Sequence, residues 1–156
     1  MPYSKEFEEA FAFTIGEEAG YVNDANDPGG ETKWGISKRS YPNEDIKNLT
    51  KERAQELAYK DYWLKASCDK YERPLGMVVF DNAYHSGVAA AVANVQQYPD
   101  WKDLIIERIE DMVEIVDSRP TSIKYLKGWI KRALKLYRLA LSNQPVTHPI
   151  SDNYGK

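Results

Sequence analysis

The sequence has few of the residues from which disulfides and metal centres are built. Cys68 is the one cysteine among 156 residues, so no disulfide can form within the chain. His85 and His148 are the two histidines, which leaves a zinc site few ligands. We therefore expect neither a metal nor a cofactor.

Long apolar runs are also missing, and the charges are nearly balanced. No stretch approaches the roughly 18 consecutive apolar residues of a membrane span. Glu6, Glu8 and Glu9 stand where an export signal would be basic and then apolar. A net charge of -3 gives no general attraction to nucleic acid. We expect a monomer that is made in the cytoplasm without a signal peptide, enters no membrane and binds no nucleic acid.

Strand patterns are scarce, and helical periodicity dominates the sequence. We predict a mainly α fold with at most a small β-hairpin near residues 21–37. The Ala/Val-rich segment after Gly87 is predicted to be a buried helix. Apolar spacing predicts helices over 5–18, 51–65, 74–86, 88–98, 104–116 and 121–141.

The last predicted helix has two distinct sides. One side is basic, and no acid occurs between residues 121 and 141; we call this side the basic face, and it comprises Lys124, Lys127, Lys131, Lys135 and Arg138. The other side is predicted to face the core through Ile123, Leu126, Ile130, Ala133, Leu134, Tyr137 and Leu141. A basic face is usually solvated, but it would also favour anionic polymers.

The first predicted helix places a carboxyl group on its apolar side. If the helix continues to Glu18, that residue projects from the face of Phe7 and Phe11, whereas Glu17 points to the flank. Apolar surroundings raise the pKa of a Glu above about 4.3, so that it stays protonated as a general acid requires. The alternative is that Gly16 ends the helix earlier and Glu18 faces water.

Carboxylates also occupy the turn that follows. A calcium loop counted from Asp24 would need Glu where Gly35 stands, so that hypothesis fails. Turn chemistry explains most acids here, but a loop that doubles back would bring Asp27 opposite Glu18. Two carboxyls in different environments are the equipment of glycoside hydrolysis.

Four ordered motifs carry a resemblance to a known family. They are "EEAGYVNDANDPGGETKWGIS" at 17–37, "YKDYW" at 59–63, "FDNAYHSG" at 80–87 and "LKGWIKR" at 126–132. Together they resemble glycoside hydrolase family 108, the bacterial and phage N-acetylmuramidases. The resemblance implies a lysozyme-like domain, with a catalytic part at 1–97 and a helical part at 98–150 that binds peptidoglycan, packed as one compact unit.

The resemblance also implies an activity and a set of site residues. The expected reaction is hydrolysis of the β-1,4 bond between N-acetylmuramic acid and N-acetylglucosamine in peptidoglycan, with Glu18 as the acid. Asp27 and Thr32 would act on the water or the cationic sugar, while Tyr21, Trp34 and Asp24 would contact the substrate. Such an enzyme needs a holin or a secretion system to reach the cell wall or periplasm.

The motifs depart from the family pattern at three places. Ala19 stands where members usually have Gly, and His85 stands where they commonly have Asn. The interval from Asp27 to Thr32 is one residue shorter than in phage-type lysozymes.

Two other readings compete with hydrolysis by Glu18. The first is a wall-binding module of the same fold without catalysis. The second is a cysteine amidase in which His85 activates Cys68, although no surrounding motif supports it. For Asp61, Asp81 and His85, we expect satisfied buried hydrogen bonds rather than catalytic roles.

Overall fold

The computed structural model describes residues 3–16, 20–26 and 29–145. The described chain is mainly helical with one small sheet, as the sequence predicts. A π-helical segment, Tyr59–Leu64, continues α2, and short 3-10 turns lie at Cys68–Lys70 and Pro120–Ser122. The α-helices are α1 (Lys5–Ile15), α2 (Lys51–Ala58), α3 (Leu75–Ser86), α4 (Val88–Gln97), α5 (Trp101–Ser118) and α6 (Ile123–Ser142).

Helix α1 ends earlier than predicted. It is capped by Ser4, whose Oγ accepts the Phe7 N–H at 3.1 Å, as the sequence indicates. It ends at Ile15 because Gly16 adopts a φ of 85°, and the Gly16 N–H closes the last turn on the Ala12 carbonyl. The helix thus stops short of the predicted end at residue 18, and Glu18 itself lies outside the described residues.

The core is built around aromatic rings from three helical segments. Phe7 of α1 is fully buried, and its ring lies 5.4 Å from Trp63 and 5.8 Å from Phe80 between centroids. Burying one such side chain is worth about 1.5–3 kcal/mol. Helix α3 is the central element, because it is buried from Gly76 to Ala83 and packs on α1, α4, α5 and α6.

The small sheet has three antiparallel strands in the order β1 (Val22–Asn23), β2 (Glu31–Lys33) and β3 (Ile36–Ser37). Thr32 lies in the middle strand, opposite Val22 on one side and Ser37 on the other. The predicted hairpin is thus present, with β3 added at its outer edge. The Tyr84 hydroxyl of α3 donates to the Gly35 carbonyl, which ties the sheet to the helices.

The predicted core face of α6 is partly wrong. Ala133, Leu136 and Ala140 are buried, whereas Ile123, Leu134 and Leu141 are 64%, 52% and 47% exposed. Helix α6 is instead buried on the side that carries Ala133, Leu136 and Ala140. Its apolar flank is left open beside the basic face.

The prediction of a buried α4 is also wrong in part. Only Ala91 and Val95 of this helix are buried. They lie four residues apart on the one side that faces α3, because α4 packs mainly on that helix. The remaining alanines face away from the core.

Candidate active site

The predicted catalytic residues fall on two parts of the chain. Glu18 and Asp27 lie outside the described residues. Thr32 lies in β2, where its Oγ1 approaches the Gly30 carbonyl at 3.5 Å, the long limit of a hydrogen bond. The hydroxyl of Thr32 is therefore only weakly held by the protein.

Two predicted substrate contacts lie on the outer side of the sheet. Tyr21 is 37% exposed, and its hydroxyl donates to Glu31 Oε1 at 2.6 Å. That hydrogen bond to the carboxylate raises the pKa of Tyr21 above its usual value. Asp24 is exposed, and its Oδ1 accepts the Asn26 N–H at 2.9 Å, which is the turn chemistry expected of Asx residues.

Trp34 occupies a strained position at the tip of the β2–β3 hairpin. Lys33 pairs with Ile36, so Trp34 and Gly35 form a two-residue loop with φ of 50° and 72°. Two positive φ angles match a type I′ turn, which normally contains Asn or Gly. A bulky residue in that conformation costs about 1–2 kcal/mol. The partly buried indole packs against the core and compensates for this cost.

A buried carboxylate joins four helices beside the end of α1. Asp81 of α3 is fully buried, and its Oδ1 accepts the Thr14 hydroxyl of α1 at 2.9 Å. Arg132 of α6 binds both carboxylate oxygens, at 2.5 and 3.0 Å. Arg108 of α5 donates to Oδ2 at 2.7 Å. We call Asp81, Thr14, Arg108 and Arg132 the carboxylate cluster.

The charges of the carboxylate cluster keep Asp81 ionised. Burial alone would raise the pKa of Asp81, but the hydrogen bonds from Arg132 and the positive charges of Arg108 and Arg132 outweigh it. The pKa of Asp81 is therefore held well below its usual value. The expectation of a satisfied buried hydrogen bond at Asp81 is confirmed.

His85 follows Asp81 by one helical turn. Its Nδ1 lies 2.8 Å from the Asp81 carbonyl oxygen, and because a carbonyl only accepts, Nδ1 carries the proton. Desolvation lowers the pKa of His85, although the negative Asp81 opposes the shift. The neutral ring then keeps Nε2 as an acceptor. Asp61 likewise accepts the Tyr41 hydroxyl at 2.8 Å, as expected.

A pocket of about 310 Å³ opens next to the carboxylate cluster, between α3, α5 and α6. Its walls are mainly apolar, from Met112, Ile115 and Ala133, and Trp129 forms one side. Asn82 and His85 contribute polar groups from α3. We call this cavity the α3–α5–α6 pocket.

Cys68 does not meet the needs of a nucleophile. It is fully buried, and burial raises the pKa of its thiol far above the usual value. A buried, protonated thiol cannot attack a wall peptide, so the arrangement argues against the cysteine amidase. Among the described residues, no cluster of three or more His, Cys, Asp or Glu residues could hold a metal ion. No helix in the described ranges is both long and apolar enough to span a membrane.

The sequence did not reveal the partners of Asp81. Arg108 follows the buried Leu104 by four residues, which places a cation on the inner side of α5. An acid in the apolar segment of α3 requires such cations. The spacing from Leu104 and the acid in the apolar segment of α3 together point to Arg108, but neither feature points to Arg132.

The fold of this chain resembles that of a solved structure. The structure of SagA from Brucella abortus resembles this chain with a TM-score of 0.69 and 24% sequence identity, covering 87% of this chain and 94% of that one. At this identity the likeness shows the fold alone, a mainly α, lysozyme-like domain with a small sheet. A search of curated proteins gives no match.

The sequence model for glycosyl hydrolase 108 matches residues 11–87. This match supports the resemblance to a family of glycoside hydrolases that the motifs predict. The matched segment runs from α1 through the sheet to the end of α3, and so contains both predicted carboxyls and the hairpin that carries Thr32.

Proposed function

We propose that the protein is a peptidoglycan hydrolase, an N-acetylmuramidase that cleaves the β-1,4 bond between N-acetylmuramic acid and N-acetylglucosamine. The observation that carries this proposal is the family match over residues 11–87, which includes Glu18, Asp27 and Thr32 in the order of the motif. A glycoside hydrolase needs one carboxyl that is protonated and one that is ionised, and Glu18 and Asp27 are the two carboxyls proposed for these roles.

In the proposed reaction, Glu18 donates its proton to the glycosidic oxygen as the bond to the muramic acid C1 breaks. Asp27 orients a water, or stabilises the positive charge that develops on the sugar. The water oxygen bonds to C1 and its proton passes to a carboxylate. A carboxyl separation of about 6.5–9.5 Å would give inversion, and one near 5 Å retention.

The described geometry supports a role for Thr32 in the proposed reaction. The contact between Tyr84 and Gly35 fixes the sheet against α3, and the Thr14–Asp81 hydrogen bond fixes the end of α1 against the same helix. The sheet and the end of α1 are thus both attached to α3. The weakly bound Thr32 hydroxyl is free to turn toward a water molecule.

Trp34 and Tyr21 are the proposed sugar contacts. Strained non-glycine residues concentrate at ligand sites, and Trp34 with a φ of 50° is such a residue. Both rings combine an apolar face with a polar edge, which suits the faces and hydroxyls of a sugar. We also propose that the C-terminal part, from residue 98, contributes to wall binding and that a holin or secretion system delivers the enzyme.

A pair of adjacent glutamates provides the test of this function. Glu18→Gln removes the acid while keeping the shape, and Glu17→Gln is the matched control. We expect Glu18→Gln to clear a suspension of purified cell walls at least about 100-fold more slowly, because general acid catalysis is worth about 10²–10⁴. Glu17→Gln should retain the parental rate.

Circular dichroism melting of both variants shows that each is folded. The assignment is wrong if a folded Glu18→Gln variant clears walls as fast as the parent. If the folded parent protein binds walls in a pelleting assay but releases no reducing ends, the protein is the non-catalytic wall-binding module.

A further inference from the structure

Helix α6 leaves a row of aliphatic side chains in water. Ile123, Leu134 and Leu141 lie within about 20° of one another around the helix axis, because of their spacing in a helix of 3.6 residues per turn. Each of the three is about half exposed or more, and we call them the exposed apolar row. Covering this row with another apolar surface is favourable, because it removes the aliphatic groups from water.

The basic face runs along one side of the exposed apolar row. Measured from Ile123, Lys127 and Arg138 lie at about 40–60° around the axis, and the other three cations lie at about 80–120°. All five cations are exposed, and none forms an ion pair with an acid in the described ranges. One exposed side of α6 thus joins aliphatic groups to solvated positive charges.

A groove between α1 and α6 shows which way the basic face points. Lys131 and Lys135 line this groove together with Ala12 and Phe13 of α1, and its volume is about 540 Å³. The groove therefore pairs two ammonium groups with apolar side chains. It also places the basic face on the side of α6 that is next to α1.

The exposed acids of this part of the chain lie on another helix. Helix α5 carries them, and they are Asp103, Glu110, Asp111, Glu114 and Asp117. These carboxylates repel an anionic surface, whereas the basic face attracts one. An anionic partner therefore approaches α6 from the side of α1, where Lys131 and Lys135 line the groove.

The combination of the two surfaces identifies the kind of partner. Cations alone would suit any polyanion, but the exposed apolar row favours a partner that has hydrocarbon directly beneath its negative charges. A bilayer of anionic phospholipids has these layers, with phosphates at the surface and acyl chains below. A helix with a basic side and an apolar side lies in the plane of such an interface.

From these features we propose that α6 docks on the surface of a bilayer of anionic phospholipids. The exposed apolar row enters the boundary between headgroups and acyl chains, and Lys131 and Lys135 contact lipid phosphates. The helix lies on the bilayer and does not span it. This inference is independent of the proposed function, because it involves no hydrolysis.

The test is sedimentation of the full-length protein with sucrose-loaded vesicles. One set of vesicles contains phosphatidylglycerol and phosphatidylcholine, and the other contains phosphatidylcholine alone. We expect the protein to pellet with the mixed vesicles at low salt and to stay in solution with phosphatidylcholine alone. Raising the salt concentration should reduce the bound fraction, because salt screens the attraction between the lysines and the lipid phosphates.

Two sets of variants test the two surfaces separately. Lys131→Gln/Lys135→Gln should weaken binding to mixed vesicles about 25-fold, since each cation near an anionic surface is worth about fivefold. The control is Lys47→Gln/Lys60→Gln, which removes two exposed lysines outside α6 and should bind as the double variant's parent does, apart from the small effect of net charge.

Leu134→Gln should weaken binding about fivefold or more, because a polar group replaces an aliphatic one that enters the bilayer. Leu141→Gln should act in the same way. Leu64→Gln is the matched control, because Leu64 is 48% exposed against 52% for Leu134 but lies outside α6. Circular dichroism melting shows that each variant is folded, and Gln is itself a good helix former.

The inference is overturned if the parent does not pellet with mixed vesicles at low salt. It is also overturned if folded Leu134→Gln and Leu141→Gln bind these vesicles as tightly as the parent while only the lysine variant loses binding. That result would identify the basic face as a site for polyanions in general, including those of the cell wall, rather than for a lipid surface.

Discussion

Replacing Asp81 by alanine tests whether the carboxylate cluster holds the fold together. The change deletes a fully buried charge that accepts bonds from Thr14, Arg108 and Arg132. Two guanidinium groups would then lie side by side without their anion, and both are mostly covered, with 12% and 31% of their side chains exposed. Breaking such a buried pair costs about 3–5 kcal/mol.

That loss is large against the about 5–15 kcal/mol by which a domain is usually stable. With a urea dependence of about 2 kcal/mol per M, it lowers the unfolding midpoint by about 2 M. Urea denaturation followed by tryptophan fluorescence measures this shift. Asp117→Asn is the control, because Asp117 is exposed and has no hydrogen-bond or ion-pair partner among the described residues. This substitution should change stability by less than about 0.5 kcal/mol.

A double-mutant cycle then isolates the contact between Asp81 and Arg132. Because the two residues share a bidentate ion pair, the losses from Asp81→Ala and Arg132→Met should add to more than the loss in the double variant. The reasoning is refuted if Asp81→Ala unfolds within about 1 kcal/mol of the parent. It is equally refuted if the losses are simply additive.

The pH dependence of stability gives an independent check of the same cluster. The pKa of Asp81 is depressed in the folded protein, so its contribution is complete above the unfolded value of about 3.9 and is lost as the pH falls toward the folded value. The parent should therefore lose stability below about pH 4. Asp81→Asn should lose less over that range, and equal slopes for the two proteins would contradict the assignment.

Four further predictions concern separate parts of the molecule. Gly35→Ala should cost about 1–3 kcal/mol and slow wall clearance, because φ is 72° there and the added Cβ would meet the Tyr84 hydroxyl; an unchanged melting curve would contradict this. The His85 ring should titrate by NMR below the ordinary value of about 6.5, because desolvation lowers its pKa, and a midpoint above that value would be inconsistent with the pocket described here. Cys68 should resist iodoacetamide in the folded protein, and lysis should survive the treatment, whereas rapid alkylation with loss of lysis would restore the amidase reading. Raising the salt concentration should reduce the fraction of protein that pellets with walls if the basic face binds anionic polymers, and a constant bound fraction would exclude that contribution.

Local signals in the sequence were sufficient to locate the helices and to identify where α1 and α2 begin. Ser4 and Thr50 cap α1 and α2 as their side chains predict, since each hydroxyl accepts a backbone N–H from its own first turn. The short sheet was also predictable, because turn residues separate two segments with little helical periodicity. These features depend on neighbours along the chain.

The features that sequence reasoning missed depend on residues far apart in the chain. Asp81 binds Arg108 and Arg132 across 27 and 51 positions, and no local pattern pairs them. The face of α6 was mispredicted in part for the same reason, because Leu136 and Ala140 face the core only once neighbouring helices have packed. The early end of α1 was the alternative that Gly16 already allowed.

The central claim is that Glu18 drives cleavage at the muramic acid carbon. Mass spectrometry of purified peptidoglycan digested in 18O water, followed by borohydride reduction, tests it most directly. We expect products that end in muramitol and carry one 18O from the attacking water, formed by the parent and by Glu17→Gln but not by a folded Glu18→Gln variant. Products that end in glucosaminitol, or muramitol products formed equally by Glu18→Gln, would contradict it.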